Sequence, residues 1–124
     1  FAVVAAEIRR AVADTSSFRS MTVNLAINYG GRDEIVRAAR KVAASGGLID
    51  EAAIGAALDR SDLPDPDLII RTSGEMRFSN FLLWEAAYAE LWFSPKLWPD
   101  FEAADLAEAI DSYRRRERRF GGIA

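Results

Sequence analysis

Apolar and polar positions recur along this chain with two periods, and the period changes several times. Val4, Ile8 and Val12 return every fourth residue with Ala11 beside them, which predicts a helix over residues 2–14. The polar run DTSSFRS ends it. From residue 21 the period falls to two: Val23, Leu25 and Ile27 alternate as in a strand, Ala26 between them points to cover on both faces, and Asn28, Gly30 and Gly31 close it. Asp33 reads as the cap of a helix running to about Ala44, with Ile35, Ala39 and Val42 on one face and Ser45-Gly46-Gly47 as its stop. Asp50 begins a short helix with Ile54 and Leu58 inward. SDLPDPD is a loop fixed by two prolines. Leu68 to Ile70 are wholly apolar, the pattern of a central parallel strand covered on both faces. Ser79 reads as the cap of a helix over NFLLWEAAYAE, apolar on nearly every side and so expected to be buried. Leu91 to Phe93 predict a third strand, Pro95 and Pro99 punctuate a loop, and residues 102–118 predict a last helix with Leu106, Ile110 and Tyr113 inward.

Strands alternating with helices imply an α/β fold, a parallel sheet with helices on both faces. Three strands make a thin sheet, so residues 1–124 are expected to form the C-terminal portion of a single larger domain, or to be completed by a partner. The first residues read as the middle of a helix and there is no initiator Met, which supports the expectation of a chain that begins part-way through a larger unit.

Composition narrows the chemistry. Half of the 124 residues are apolar, enough for a core, and no apolar run approaches the ~20 residues that span a bilayer. Cys and His are both absent. That removes disulfides, zinc–thiolate sites, thiol nucleophiles and the commonest general base. A net charge of −3 argues against nucleic acid as the main partner. The arginines at 114–119 crowd the end of the last helix, where cations suit the helix dipole and form a solvated face. Trp84, Tyr88, Trp92 and Trp98 read as core or subunit interface.

The stretch DLIIRTSGEMRFSN, residues 67–80, carries the chemistry. Ligands of open parallel sheets bind beyond the carboxyl ends of the strands, and Arg71 to Asn80 lies at such an end. Arg71 and Arg77 can each fork two N–H groups onto an anionic oxygen. Gly74 allows a close backbone turn, and Ser79 with the free amides of the helix predicted after it suits an anion. The arrangement is a candidate phosphate or diphosphate clamp, and it is not a Walker loop. The competing reading is a structural network in which the arginines pair with Glu75 and Glu85. The residue pattern leaves both open.

DLIIRTSGEMRFSNFLLWEAAYAELWFSPKLWPDF resembles the C-terminal signature of the cis-prenyltransferases, and NLAINYGGR at 24–32 and RERRFGG at 116–122 are similar to the same family. The resemblance implies condensation of isopentenyl diphosphate onto an allylic diphosphate with a new Z double bond, a Mg²⁺ requirement, and a cytoplasmic homodimer with at most peripheral membrane contact through its lipid product. It implies that Arg71, Arg77 and Ser79 hold the diphosphate of isopentenyl diphosphate, that Glu75 supports them, that Glu90 helps place Mg²⁺, and that Arg119 and Gly121 form an R-x-G motif reaching the partner's active site. Family members are longer, and their N-terminal half carries an Asp-containing loop of the H-D-G-N-R-R type. Nothing here matches it, so the key aspartate is expected outside this sequence and the isolated 124-residue chain is expected to be inactive. The alternative is a non-catalytic partner subunit of a heteromeric cis-prenyltransferase.

Overall fold

The computed structural model describes residues 2–116. Along them lie helices α1 (Ala2–Thr15), α2 (Gly31–Ala44), α3 (Glu51–Ala57) and α4 (Ala103–Arg114), and strands β1 (Leu68–Arg71) and β2 (Glu90–Phe93). Single 3₁₀ turns span Glu85–Tyr88 and Trp98–Asp100. The strands run parallel, with Leu68 opposite Glu90 and Arg71 opposite Phe93. The α/β class and the parallel pairing follow the sequence pattern, and so do the strand positions at 68–71 and 90–93.

The sheet holds two strands among the described residues, not three. Residues 21–27 form no ladder, and Val23, Leu25 and Ile27 are each about two-thirds exposed. Alternation supplies only a period. A strand also needs a neighbour to take its N–H and C=O groups, and no described segment does so here.

The helix expected over 80–90 also fails to form. Ser79, Asn80 and Leu82 have φ of 49°, 65° and 45°, in the left-handed region that an α-helix excludes. Only the short turn at Glu85–Tyr88 is helical in kind, so Ser79 caps no helix. A continuous apolar run has no period of its own and cannot separate a buried helix from a buried irregular segment.

The core lies where α2 meets α3. Ala38, Val42, Ile54 and Leu58 are buried together, with Trp84 packed against them. α2 starts at Gly31 rather than Asp33, carries Asp33 and Glu34 in its first turn and Lys41 in its last, and stops before Gly46, whose φ is 69°. Buried Glu34 accepts from the Tyr29 hydroxyl and from the Asp59 N–H at 3.0 Å, so the charge it brings into the core is hydrogen-bonded. Burial first, and Glu34 second, hold the Tyr29 phenol far above its ordinary pKa. α3 is capped by Asp50, which accepts from the Ala53 N–H at 2.8 Å. α4 packs on β2. Its buried positions are Asp105 and Ala109, not the expected Leu106 and Ile110. Asp105 is drawn in because it closes a capping box with Glu102 and holds Lys96 at 2.9 Å. No described helix is long and apolar enough to cross a membrane.

Candidate functional site

The end of β1 continues into a tight turn zipped to the end of β2. The Ser94 N–H bonds the Arg71 carbonyl at 2.8 Å, the Ser73 N–H bonds the Lys96 carbonyl at 2.7 Å, and the Gly74 N–H bonds the Ser94 carbonyl at 2.9 Å. Ser73 and Gly74 have φ of 72° and 67°. Two successive left-handed residues reverse the chain within one turn, and glycine takes the second without strain. Arg71 is therefore presented from a hydrogen-bonded strand end rather than from a free loop.

Beside that turn opens a cavity of about 340 Å³, lined by Ile69, Ile70, Arg71, Thr72, Met76, Arg77, Phe78, Phe81, Leu91 and Phe93. Both arginines reach it, but in different states. Arg77, two-thirds exposed, is paired with Glu75. Arg71 meets no carboxylate within ion-pair distance among the described residues. Its Nη2 donates to the Ser79 hydroxyl over a long 3.4 Å, and its Nε is buried without a hydrogen-bond partner. Of the two sequence readings, structural pairing describes Arg77 and does not describe Arg71. Glu85, the other acid offered for pairing, sits 4.0 Å from Arg60 instead.

Glu90 is not part of this cluster. It starts β2, opposite Leu68, so it lies three residues, or ~10 Å, from the Arg71 end of the sheet. There it accepts from Arg116 Nη1 at 2.6 Å, while Arg116 Nη2 donates to the Leu91 carbonyl at 2.9 Å. Mg²⁺ is commonly held by one or two carboxylates together with substrate phosphates and waters. Among the described residues no group of three acidic side chains gathers that could hold a metal, and Glu90 is paired with Arg116. Arg119 and Gly121 lie outside the described residues.

The sequence reading missed how the turn carrying Arg77 and Ser79 is anchored. Asn80 bonds the first turn of α2 twice: its carbonyl accepts the Gly31 N–H at 2.7 Å, and its Oδ1 accepts the Arg32 N–H at 2.9 Å. A Cβ on Gly30 would stand 2.8 Å from Asn80 Nδ2, and one on Gly31 would stand 3.0 Å from Leu83. The paired glycines admit a neighbouring chain, which is a different need from the turn that the sequence suggested. Two glycines ahead of a helix were the available signal, but they do not name their partner.

Comparison with known proteins gives one answer. The prenyltransferase family model described as undecaprenyl diphosphate synthase matches residues 2–121. The chain is 52% identical to an isoprenyl transferase of Treponema pallidum over 97% of its length, and 53% identical to one of Brucella abortus over 98%. It covers 55% and 52% of those proteins. Among solved structures it is similar to a probable undecaprenyl diphosphate synthase from Campylobacter jejuni, with a TM-score of 0.83 and 39% identity over 95% of this chain and 56% of that one. It is equally similar, with a TM-score of 0.83 and 46% identity, to lavandulyl diphosphate synthase from Lavandula x intermedia in complex with dimethylallyl diphosphate, over 92% of this chain and 52% of that one. The chain thus spans about half the length of the relatives it matches.

Proposed function

The chain belongs to the undecaprenyl diphosphate synthase family of prenyltransferases, and from that premise we propose that it supplies the isopentenyl diphosphate clamp of a Z-type polyprenyl diphosphate synthase. In such a reaction a C–C bond forms between the two isoprenoid units, the allylic C–O bond breaks, one diphosphate leaves and a proton is lost. The diphosphate of isopentenyl diphosphate stays on the product throughout and needs a fixed holder. Arg71 is that holder, with Ser79 beside it and Arg77 as the outer arm. Glu75 keeps Arg77 extended until an anion competes for it. Ile69, Phe78, Phe81 and Leu91 line the same cavity and offer apolar contact to the isoprenoid carbons.

The observation that carries this reading is the buried, unpartnered Nε of Arg71. A guanidinium cannot shed its proton to escape an unfavourable site, and a buried N–H donor without a partner is costly. A diphosphate oxygen supplies one with forked geometry. The Mg²⁺ requirement stays in the proposal without a ligand in this site, because Glu90 meets Arg116 at the other end of the sheet. Dimerisation through the segment bearing Arg119 and Gly121 belongs to the proposal in the same way. The alternative of a non-catalytic partner subunit gives no reason for the unpartnered Nε of Arg71.

The test compares Arg71→Ala and Arg71→Lys in an active enzyme that carries this sequence. Loss of a charged hydrogen bond costs roughly 1.5–3 kcal/mol, so KM for isopentenyl diphosphate rises about ten- to a hundredfold in Arg71→Ala. Arg71→Lys recovers only part of the loss, since an ammonium cannot fork. An unchanged KM for isopentenyl diphosphate in both variants contradicts the clamp.

A further inference from the structure

The clamp residues Arg77 and Ser79 sit on a segment without regular secondary structure, yet a diphosphate holder has to be rigid. The rigidity has a visible source 48 residues earlier in the chain. Asn80 follows Ser79 directly, in a left-handed conformation that Asn tolerates better than most residues. From there it holds two N–H groups of the α2 N-terminus, at Gly31 and Arg32. Those are donors a helix leaves orphaned in its first turn, and the Gly30 cap supplies no side chain for them. The fit is close on both sides, because a Cβ at Gly30 would overlap the Asn80 amide at 2.8 Å. Gly30 itself has φ of −153°, an extended backbone open to any residue. Its lack of a side chain therefore serves the approach of Asn80 and not the local turn.

We infer that Asn80 is a positioning residue for the clamp: it caps α2 from a distance and in doing so fixes the turn that places Ser79 and Arg77 beside Arg71. This rests on the clamp reading above. It assigns Gly30 a role as well, as the space into which Asn80 fits. α2 is anchored in the core through Ala38 and Val42, so the contact ties an irregular turn to a core helix.

Three variants of the same active enzyme test this beside Arg71→Ala. Asn80→Gly keeps the left-handed backbone and the carbonyl bond to Gly31 and removes only the Oδ1 bond to Arg32. It raises KM for isopentenyl diphosphate roughly two- to fivefold, within the worth of one hydrogen bond, and leaves KM for the allylic substrate unchanged. Gly30→Ala, which pushes on the same amide from the other side, gives a similar rise. The double variant is no worse than Asn80→Gly alone, because the added methyl then has nothing to strike. Should Asn80→Gly not fold, Gly30→Ala still decides the matter by the same split between the two KM values. If Arg71→Ala weakens isopentenyl diphosphate and neither Asn80→Gly nor Gly30→Ala does, the positioning role is overturned and the clamp stands. A rise in both KM values alike, or fully additive effects in the double variant, overturns it too. If Arg71→Ala itself has no effect, the clamp reading beneath it falls.

Discussion

Arg71 and Arg116 serve opposite ends of the same two strands, and their surroundings could hardly differ more. Arg116 joins the end of α4 to the start of β2 through Glu90 at 2.6 Å and the Leu91 carbonyl at 2.9 Å. Arg71 has one long contact with a hydroxyl and a buried Nε with no partner. A saturated guanidinium is a structural part. An unsaturated one, held in place by a hydrogen-bonded strand end, fits the proposed anion clamp. A third group sharpens the distinction. Glu85 is 4% exposed and neither of its oxygens has a hydrogen-bond partner, but burial pushes its pKa up. It can escape its surroundings by taking a proton, and arginine cannot. An unsatisfied buried acid is therefore weaker evidence of a ligand than an unsatisfied buried arginine.

The comparison breaks first at Arg71, where the ten- to hundredfold rise in KM of Arg71→Ala should come without loss of stability, its unfolding free energy by chemical denaturation staying within about 0.5 kcal/mol of the parent. Arg116→Ala should do the reverse. It removes a partly buried ion pair and a bond to a backbone carbonyl, and chemical denaturation should show a loss of about 1–2 kcal/mol.

Glu85→Gln should stabilise the protein at neutral pH by about 1 kcal/mol, since it removes a buried carboxylate whose one ion-pair contact, Arg60, stands 4.0 Å away. The sign follows from the raised pKa. Below the ordinary carboxyl pKa, about 4.3, Glu85 is protonated both folded and unfolded and has no effect. As pH rises past that value the unfolded chain ionises first, and stability is lost until the folded group ionises too. Denaturation of the parent as pH rises above the ordinary carboxyl range should show that decline, and in Glu85→Gln the decline should be smaller. Equal slopes in the two would mean that Glu85 is satisfied in solution.

The smallest effect is expected at Arg77. Its side chain is 67% exposed and shared with Glu75, so Arg77→Ala should raise KM for isopentenyl diphosphate by only about two- to fivefold. An effect as large as that of Arg71→Ala would make the two arginines equal partners and remove the distinction drawn between them.

The sequence made legible what depends on local pattern. The apolar triplet before Arg71 and the run from Leu91 to Phe93 both became strands, α2 and α3 lie close to their predicted positions, and DLIIRTSGEMRFSN singled out Arg71 and Arg77. What stayed hidden depends on contacts between distant segments. Ser79 and Asn80 looked like the start of a helix because their own neighbours allow one, and it is the α2 N-terminus that draws Asn80 into another conformation. Met21 to Ile27 has the alternation of a strand, but the hydrogen-bonding neighbour that would make it one is not among the described residues. α4 turned by one position because Asp105 has two hydrogen-bonding tasks that hydrophobic spacing cannot display. No pattern could tell which of two arginines would find an acid, because Glu75 is near both in sequence and pairs with one.

The most direct test of the open cation is to watch it. In the full chain labelled with ¹⁵N-arginine, the Nε–H resonance of Arg71, identified by its absence in Arg71→Lys, should shift on addition of isopentenyl diphosphate, while that of Arg116 stays where it is. An Arg71 resonance that does not move at saturating isopentenyl diphosphate would contradict the account.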